Sequence, residues 1–410
     1  MVPNGWEEKT LEDITKEKIS YGIVQAGPHI DDGVPYLKSS DVGGEISISS
    51  LQRTAHDIHE KYKRSAVHPN DIVFSLRGNI GRTSIVPGNL PEANLTQGTA
   101  RISVNDKNDT KFVYYSLATS WTLNRINSLS KGSTFKEISL AELRKVKLLF
   151  PSLHEQRKIA KILTTWDKVI DTTERLIDNS KQQKKALMQQ LLTGKKRLLD
   201  DNGKPFEGEW EEVKISDVFD VGSSKRVLQE DWQESGIPFY RTRELVSLAK
   251  KEPFSSSIFI SEQLYKELID KYGMPSEGDF LVSGVGTLGI IYQVKKGDEF
   301  YFKDGNVLWF KKKGEISSDF FKYSFLADYV QHQIDLQSSV TTVGTYTIKN
   351  ARLTKFLCPS LKEQQKIAAV LTNADKEINL LEQQLTDLQQ EKKALMQVLL
   401  TGKKRVKLND

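Results

Sequence analysis

Gly284-Val285-Gly286-Thr287-Leu288-Gly289 has the spacing of a dinucleotide-binding turn and follows an apolar run, Phe280-Leu281-Val282. A phosphate site of that kind needs a helix to begin at the glycines, so that its first amide N–H groups face the anion. The next residues, Ile290-Ile291-Tyr292-Gln293-Val294, are β-type, and the matching stretch near residue 80 keeps only Gly78 and Gly81, beside Arg77. A tight turn between two strands is therefore expected, with no nucleotide. Asp201 with Glu212-Val213-Lys214 has the makings of a nuclease carboxylate-plus-lysine set, but the matching residues earlier in the chain are Glu8-Lys9-Thr10, so the spacing is read as chance. His56 and His59 lie three apart with no third ligand in view and are expected on the surface. The single cysteine, Cys358, rules out a disulfide framework or a cysteine zinc site within the chain. Its apolar setting, Lys355-Phe356-Leu357-Cys358-Pro359, suits a small buried hydrophobe better than a nucleophile. There is no Asn-Pro-Pro-aromatic run for amino methylation and no Walker lysine loop. No catalytic set is expected.

The elements that carry these residues are written twice. Pro151-Ser152-Leu153-His154-Glu155-Gln156 through Leu191-Leu192-Thr193-Gly194-Lys195-Lys196-Arg197 returns as Pro359-Ser360-Leu361-Lys362-Glu363-Gln364 through Leu399-Leu400-Thr401-Gly402-Lys403-Lys404-Arg405. The offset is 208 without a gap, and 28 of 47 positions are identical. A unit of this size occurring twice is a tandem duplication of a whole module, with an internal pseudo-twofold axis expected. Upstream the copies share only anchors. These are Trp6-Glu7-Glu8 with Trp210-Glu211-Glu212, Val34-Pro35-Tyr36 with Ile237-Pro238-Phe239, and Asp71-Ile72-Val73-Phe74-Ser75 with Asp279-Phe280-Leu281-Val282-Ser283. Short β-rich runs, an alternating segment at 11–14 and at 215–218, and helical stretches at 111–127 and 319–333 predict a mixed α+β module in each half.

The shared tails are predicted helices. Steps of four and three give Ile367, Leu371, Ala374, Ile378, Leu381, Leu385, Leu388, Lys392, Leu395 and Leu399, a heptad seam with one lapse. The first copy gives Ile159, Leu163, Trp166, Ile170, Thr173, Ile177, Ser180, Lys184, Leu187 and Leu191, a weaker seam in the same register. Pro151-Ser152 and Pro359-Ser360 are start signals, and Gly194 and Gly402 are stops. About 40 helical residues span roughly 60 Å. If the two helices pair antiparallel, they hold two unlike heads at a fixed separation and bring the chain ends together. The expected fold is α+β: two pseudo-twofold-related mixed α/β modules, 1–150 and 199–358, separated by two long antiparallel coiled-coil helices, 151–198 and 359–410. With 410 residues, 38% hydrophobic and 28% charged, and a net charge of +5, the composition is that of a globular protein compatible with a polyanion partner. No run of about 18 apolar residues is present, and residues 1–8 lack the pattern of a signal peptide. A reducing, cytoplasmic setting without a membrane is expected.

The paired variable modules, the Pro-Ser-Leu-x-Glu-Gln helix starts at Pro151 and Pro359, the Leu-Leu-Thr-Gly-Lys-Lys-Arg helix ends and the Ser75…Gly78-Asn79-Ile80-Gly81 turn together resemble the specificity subunit of type I restriction-modification enzymes. The resemblance spans essentially the whole chain. It implies a non-catalytic subunit whose two target recognition domains each read one half of a bipartite, asymmetric site on double-stranded DNA. It further implies that the helices space these domains and dock two methyltransferase subunits, with restriction/translocase subunits joining later. S-adenosylmethionine, ATP and Mg are then expected on the partners, and no cofactor on this chain. The polar seam residues Thr173, Ser180 and Lys184 depart from a strong helix pairing.

Polar residues beside the shared anchors are the candidate DNA contacts: Lys38, Ser39, Arg77, Asn79, Gln97 and Thr99 in the first module, and Arg241, Thr242, Arg243, Thr287, Lys303 and Asn306 in the second. Arg, Lys, Asn and Gln suit base edges, and Ser, Thr and Lys suit phosphates. Gly98 and Gly305 lie in matching turns, Gln97-Gly98-Thr99 and Asp304-Gly305-Asn306, and serve backbone geometry. The Lys195-Lys196-Arg197 and Lys403-Lys404-Arg405 clusters are read first as ordinary helix C-terminal cations and second as phosphate contacts. Leu191, Leu192, Leu399 and Leu400 are the candidate partner surface, against the competing account that they pack the helix pair. The alternative function is a coiled-coil adaptor with two protein-binding heads and no DNA role. Sequence-specific duplex binding that falls steeply with salt separates the two readings.

Overall fold

A computed structural model describes residues 2–132, 136–253, 258–303, 305–338 and 344–407. By internal contacts the chain divides into two units, Met1–Glu174 with Gln383–Asp410, and Arg175–Glu382. Each unit therefore takes one half of each long helix, Leu153–Leu191 and Leu361–Leu399.

The two units repeat one topology. In the first, a four-stranded sheet has the order Ser20–Tyr21, Thr99–Ile102, Ile72–Ser75, Thr83–Ile85. In the second the order is Phe219–Ser223, Val307–Lys312, Phe280–Ser283, Ile291–Gln293. The registers superpose at the sequence offset: Ile72 faces Ile102 and Ser75 faces Thr99, as Phe280 faces Phe310 and Ser283 faces Val307. A three-stranded sheet (Gln52–Thr54, Val34–Leu37, Asn94–Leu95; Phe259–Ile260, Ile237–Tyr240, Tyr301–Phe302) and a two-stranded one (Glu7–Thr10 with Lys147–Phe150; Glu211–Lys214 with Lys355–Cys358) complete each unit. The central strands are buried on both faces, which explains their continuous apolar character. Alternation assigns the faces: Ile72 and Phe74 enter the main core with Phe112, Phe150 and Leu163, while Val73 enters a second core with Leu37 and Leu95.

Three local expectations are corrected. Residues 11–14 form a turn and Ile215–Val218 a single helical turn, because Leu11, Ile14 and Ile215 reach the core at a spacing of three or four. The stretch at 111–127 is two helices, Thr110–Leu117 and Ser120–Leu129, because the Thr119 hydroxyl accepts the Thr122 amide (3.3 Å) and starts a new helix. The stretch at 319–333 divides likewise into Ser318–Phe325 and Asp328–Ser338.

Within each unit the long helices pack antiparallel along the expected seam. Every seam residue is buried or half-buried, and the lapses are the register lock. In the first unit the Lys392 ammonium contacts the Asp167 carboxylate, which also accepts the Tyr115 hydroxyl. In the second, Lys184 Nζ lies 2.5 Å from Asp375, which accepts the Tyr323 hydroxyl at 2.6 Å. Each ammonium also lies over its tyrosine ring, at 5.5 and 5.4 Å. Burial opposes ionisation of Asp375, but Lys184 and Tyr323 hold its carboxyl below the usual carboxylate range. Thr173, the other polar seam residue in the core, donates to the Val169 carbonyl at 2.8 Å and so needs no partner across the seam.

The shared motifs at the helix ends bind each other. Glu155, 1% exposed, accepts two hydrogen bonds from Arg405 at 2.7 Å; Glu363, fully buried, accepts two from Arg197 at 2.7 and 2.8 Å. Arg405 also donates to the Asn4 carbonyl, and Arg197 to that of Gly208. The adjoining glutamines bind back onto the helix starts, Gln156 to the Pro151 carbonyl and Gln364 to that of Pro359. Gly402 adopts φ +67°, and a Cβ there would sit 2.6 Å from Pro3, so the left-handed turn that returns the chain toward Trp6 requires glycine.

Replacing Arg405 with alanine strands a buried carboxylate and is expected to destabilise the protein by about 3–5 kcal/mol. Guanidinium unfolding of the Arg405→Ala chain measures it; a loss below about 1 kcal/mol, the range of a surface pair, would refute this role.

Candidate nucleic-acid interface

In the first unit three loops meet at Gly98. The turn between Ile72–Ser75 and Thr83–Ile85 carries Arg77, Gly78 and Asn79, with Gly78 and Gly81 at positive φ. The Gly98 carbonyl accepts the Leu76 amide and the Ser39 hydroxyl, both at 2.8 Å. A Cβ on Gly98 would lie 2.8 Å from Ser39 Oγ and 3.0 Å from Arg77 Nε, so Ser39 and Arg77 close over this glycine. Gln97, half-exposed, is tied by its amide to the Ile23 carbonyl. Asn79 is exposed, with its carbonyl accepting the Arg82 amide. Lys38 leans away, donating to Gln52 at 3.1 Å.

In the second unit Arg241, Thr242, Arg243, Lys303 and Asn306 line one open concavity of about 280 Å³. The same backbone frame holds it: the Asn306 carbonyl accepts the Gly284 amide at 2.8 Å and the Thr242 hydroxyl at 3.5 Å. The Lys303 amide donates to the Tyr240 carbonyl, and Gly305 takes φ +71°. Asp304 lies outside the described residues. Thr287 is exposed on the 284–289 turn and is not part of the concavity. That turn joins two antiparallel strands and starts no helix, as expected for a nucleotide decoy.

Two residue sets need correction. Thr99 is fully buried, its hydroxyl given to the Thr96 carbonyl, so it presents no surface to DNA. Leu191, Leu192, Leu399 and Leu400 are likewise buried in the cores of their units, where packing accounts for their identity. Off the seam, Gln182, Lys185, Ala186 and Gln189 are exposed and identical to Gln390, Lys393, Ala394 and Gln397, also exposed. Internal packing does not require that identity. The signal was present in the sequence: the seam assigns the inward face, and the matches remaining outside it mark a repeated outer face.

Arg197 and Arg405 are committed to their glutamates, which leaves the exposed Lys195, Lys196, Lys403 and Lys404 as the cations of those clusters. His56 is exposed, but His59 is buried against Glu92 (3.1 Å) and Asn94 (3.2 Å), contrary to expectation, because it closes the core side of a short helix. Among the described residues no His, Cys, Asp or Glu group is placed to hold a metal. Burial pushes the Cys358 thiol up to about 11, which suits an inert packing residue.

Sequence reading missed Glu244. It is 1% exposed and accepts hydrogen bonds from Arg241 Nη2 (2.6 Å) and Arg243 Nη2 (3.1 Å) at the edge of the concavity. Burial raises its pKa, but the two guanidiniums and its own backbone amide outweigh burial and hold it down to about 2. A carboxyl depressed from an ordinary 4.5 stabilises the fold above pH 4.5 and loses that contribution as pH falls toward 2. The Glu244→Gln chain is therefore expected to lose less stability than the native chain between pH 4.5 and 2. Thermal unfolding across that window checks it, and identical acid limbs would refute it.

The family model described as "Type I restriction modification DNA specificity domain" matches residues 3–181 and 207–390. The specificity subunit of the type I restriction enzyme MjaVIII of Methanocaldococcus jannaschii is 24% identical over 427 aligned residues, covering 99% of this chain and 94% of the relative. The specificity subunit of the Escherichia coli EcoBI enzyme is 29% identical over 196 residues, 47% of this chain and 41% of the relative. The fold is similar to the crystal structure of a type I restriction-modification S subunit from M. genitalium, at TM-score 0.59 and 16% identity, covering 100% of this chain and 99% of that one. A chain solved in work on assembly and conformational transition of the type I restriction-modification system aligns at TM-score 0.60 and 15% identity, with 98% of both chains covered.

Proposed function

The chain belongs to the type I restriction-modification DNA specificity family, and from that premise we propose how this specificity subunit works. The recognition domains are 1–150 and 199–358, and each reads one half of a bipartite, asymmetric site on double-stranded DNA. The spacer segments, 151–198 and 359–410, set the distance between the half-sites and dock two methyltransferase subunits, and restriction/translocase subunits join that assembly. S-adenosylmethionine, ATP and Mg belong to those partners.

One observation carries this reading. An identical sheet register and an identical backbone clasp, Ser39 and Leu76 on the Gly98 carbonyl, Thr242 and Gly284 on that of Asn306, display different side chains. Lys38-Ser39-Ser40 stands where the second unit has Arg241-Thr242-Arg243. Equal frames with unequal readers suit a site whose two halves differ in sequence, and readers on one face of DNA favour a separation near one turn, about 34–36 Å.

Methylation mapping with the cognate methyltransferase tests the reading. Two short motifs with a fixed unread gap are expected. Inserting seven residues in each long helix preserves the heptad register and adds about 10 Å, so the gap should grow by about 3 base pairs. An unchanged gap refutes the spacer role.

The repeated outer face around Ala186 and Ala394 supports docking of two copies of one partner. Ala186→Glu alone should reduce the purified complex from two methyltransferase subunits to one. The double variant with Ala394→Glu should bind none, with unfolding of the chain unchanged. Full stoichiometry in the double variant, by light scattering, would place the docking surface elsewhere.

A further inference from the structure

Glu244 arranges its two arginines in a way that specifies a base. Its Oε2 accepts the Arg241 amide and Nε, both at 3.1 Å, and its Oε1 accepts Arg241 Nη2 at 2.6 Å. The Arg241 guanidinium also lies over the Trp232 ring at 5.9 Å, so it is held from two sides. Arg243 meets the same Oε1 through Nε (3.3 Å) and Nη2 (3.1 Å). Its side chain is nevertheless 66% exposed, at the rim of the concavity shared with Thr242, Lys303 and Asn306.

A guanidinium has five N–H donors in a planar fork. With the Nε edge turned to Glu244, the opposite edge, formed by Nη1 and the second Nη2 hydrogen, faces outward. That edge matches the N7 and O6 acceptors of guanine in the major groove. A phosphate contact needs only a positive charge and tolerates a mobile lysine, whereas reading a base needs an oriented fork. The buried carboxylate supplies orientation and also cancels one of the two positive charges, a poor choice for a site built to attract phosphate.

The first unit repeats the frame with another reader. Asp41 takes the place of Glu244: its Oδ2 accepts the Lys38 amide at 2.8 Å, as Glu244 accepts that of Arg241. The exposed neighbour is Ser40, whose hydroxyl donates to Asp41 at 3.2 Å, where the second unit has Arg243. In both units an acid fixed by a backbone amide aims the residue just before it.

Resting on the DNA-reading role proposed above, we propose that Arg243 reads a guanine in the half-site bound by the second unit, that Glu244 is its positioning residue, and that Ser40 is the matching reader of the first unit. Neither Ser40 nor Glu244 stood out from sequence.

The test uses the chain assembled with its cognate methyltransferase subunits, a mapped target duplex, and competition binding against single-base variants of that duplex. One guanine in the second half-site should block binding when its N7 is methylated by dimethyl sulfate. Arg243→Ala should abolish that interference and reduce discrimination at this position by roughly 5- to 150-fold. Every other position of both half-sites should be read as before. Arg243→Lys should fail to restore discrimination, because an ammonium offers no two-pronged edge. Glu244→Gln keeps an acceptor for the Arg241 amide but loses the charge, and should relax the same single position; a purely structural role would weaken all positions together. If Arg243→Ala lowers affinity for every duplex alike and reduces the salt slope by about one, Arg243 is a phosphate contact and the inference is wrong. If Glu244→Gln misfolds, the two Arg243 variants still decide. If the native complex discriminates no sequence at all, the DNA-reading role itself fails, which is a different result from an unchanged motif in Arg243→Ala.

Discussion

A buried glutamate at the start of one long helix, clamped by an arginine just beyond the end of the other, is the contact on which each unit depends. Glu155 with Arg405 and Glu363 with Arg197 take carboxylates out of water, which is tolerable only because each receives two short charge-assisted hydrogen bonds. An isolated buried carboxylate would destabilise the start of the helix that carries it. The first unit therefore cannot be completed by a continuous stretch of chain, since it needs the 383–410 segment, and the second, continuous from Arg175 to Glu382, needs the last turns of the first long helix. The Lys–Asp–Tyr contacts farther along repeat the logic, since Lys392 matches Asp167 and Lys184 matches Asp375 only in one antiparallel register. A slip by a turn would leave four ionised groups half-buried without partners, while the apolar seam alone tolerates such slips more readily.

This arrangement explains why the tails resist divergence while the modules do not. Each tail plays two parts, its beginning closing one unit and its end closing the other. A change in the Glu-Gln start has to suit an Arg that lies some 250 residues away in one unit and 166 in the other. The four shared leucines belong to the same constraint, being core residues twice over.

Much of this was legible in the sequence. The seam from Ile367 to Leu399 predicted the inward face residue by residue, and the turn at 284–289 was recognisable as a decoy because β-type residues follow it. Lys184 and Lys392 look like faults in a heptad until their acids are known, and those acids, Asp375 and Asp167, lie about 190 and 225 residues away. Leu191 and Leu399 failed as partner residues for the opposite reason: identity between copies is equally produced by a common partner and by the same packing done twice, and only burial separates the two. Thr99 stood beside a correctly placed turn but opens a strand, Thr99–Ile102, that is buried along its whole length, so neither face of it reaches the surface. Glu244 was hidden because an acid three residues into a helix has an ordinary meaning as a cap, and its second use, gripping two guanidiniums, depends on how the side chains turn.

The clasp beneath the loops at Gly98 and Asn306 also shows how such loops can change without unmaking the fold. The groups that fix them are largely backbone: the carbonyls of Gly98 and Asn306 accept amides from Leu76 and Gly284, and the acids Asp41 and Glu244 accept amides from Lys38 and Arg241. Backbone donors and acceptors are present whatever the side chain, so they impose almost no sequence. Of the side chains at the clasp, only a hydroxyl at 39 and 242 and a carboxylate at 41 and 244 recur between the units. The exposed positions between them, 40 and 243, touch only the neighbouring acid with their side chains and differ as widely as serine and arginine. A loop surface hung in this way can change its exposed side chains at little expense in stability, because what varies is supported by groups that do not.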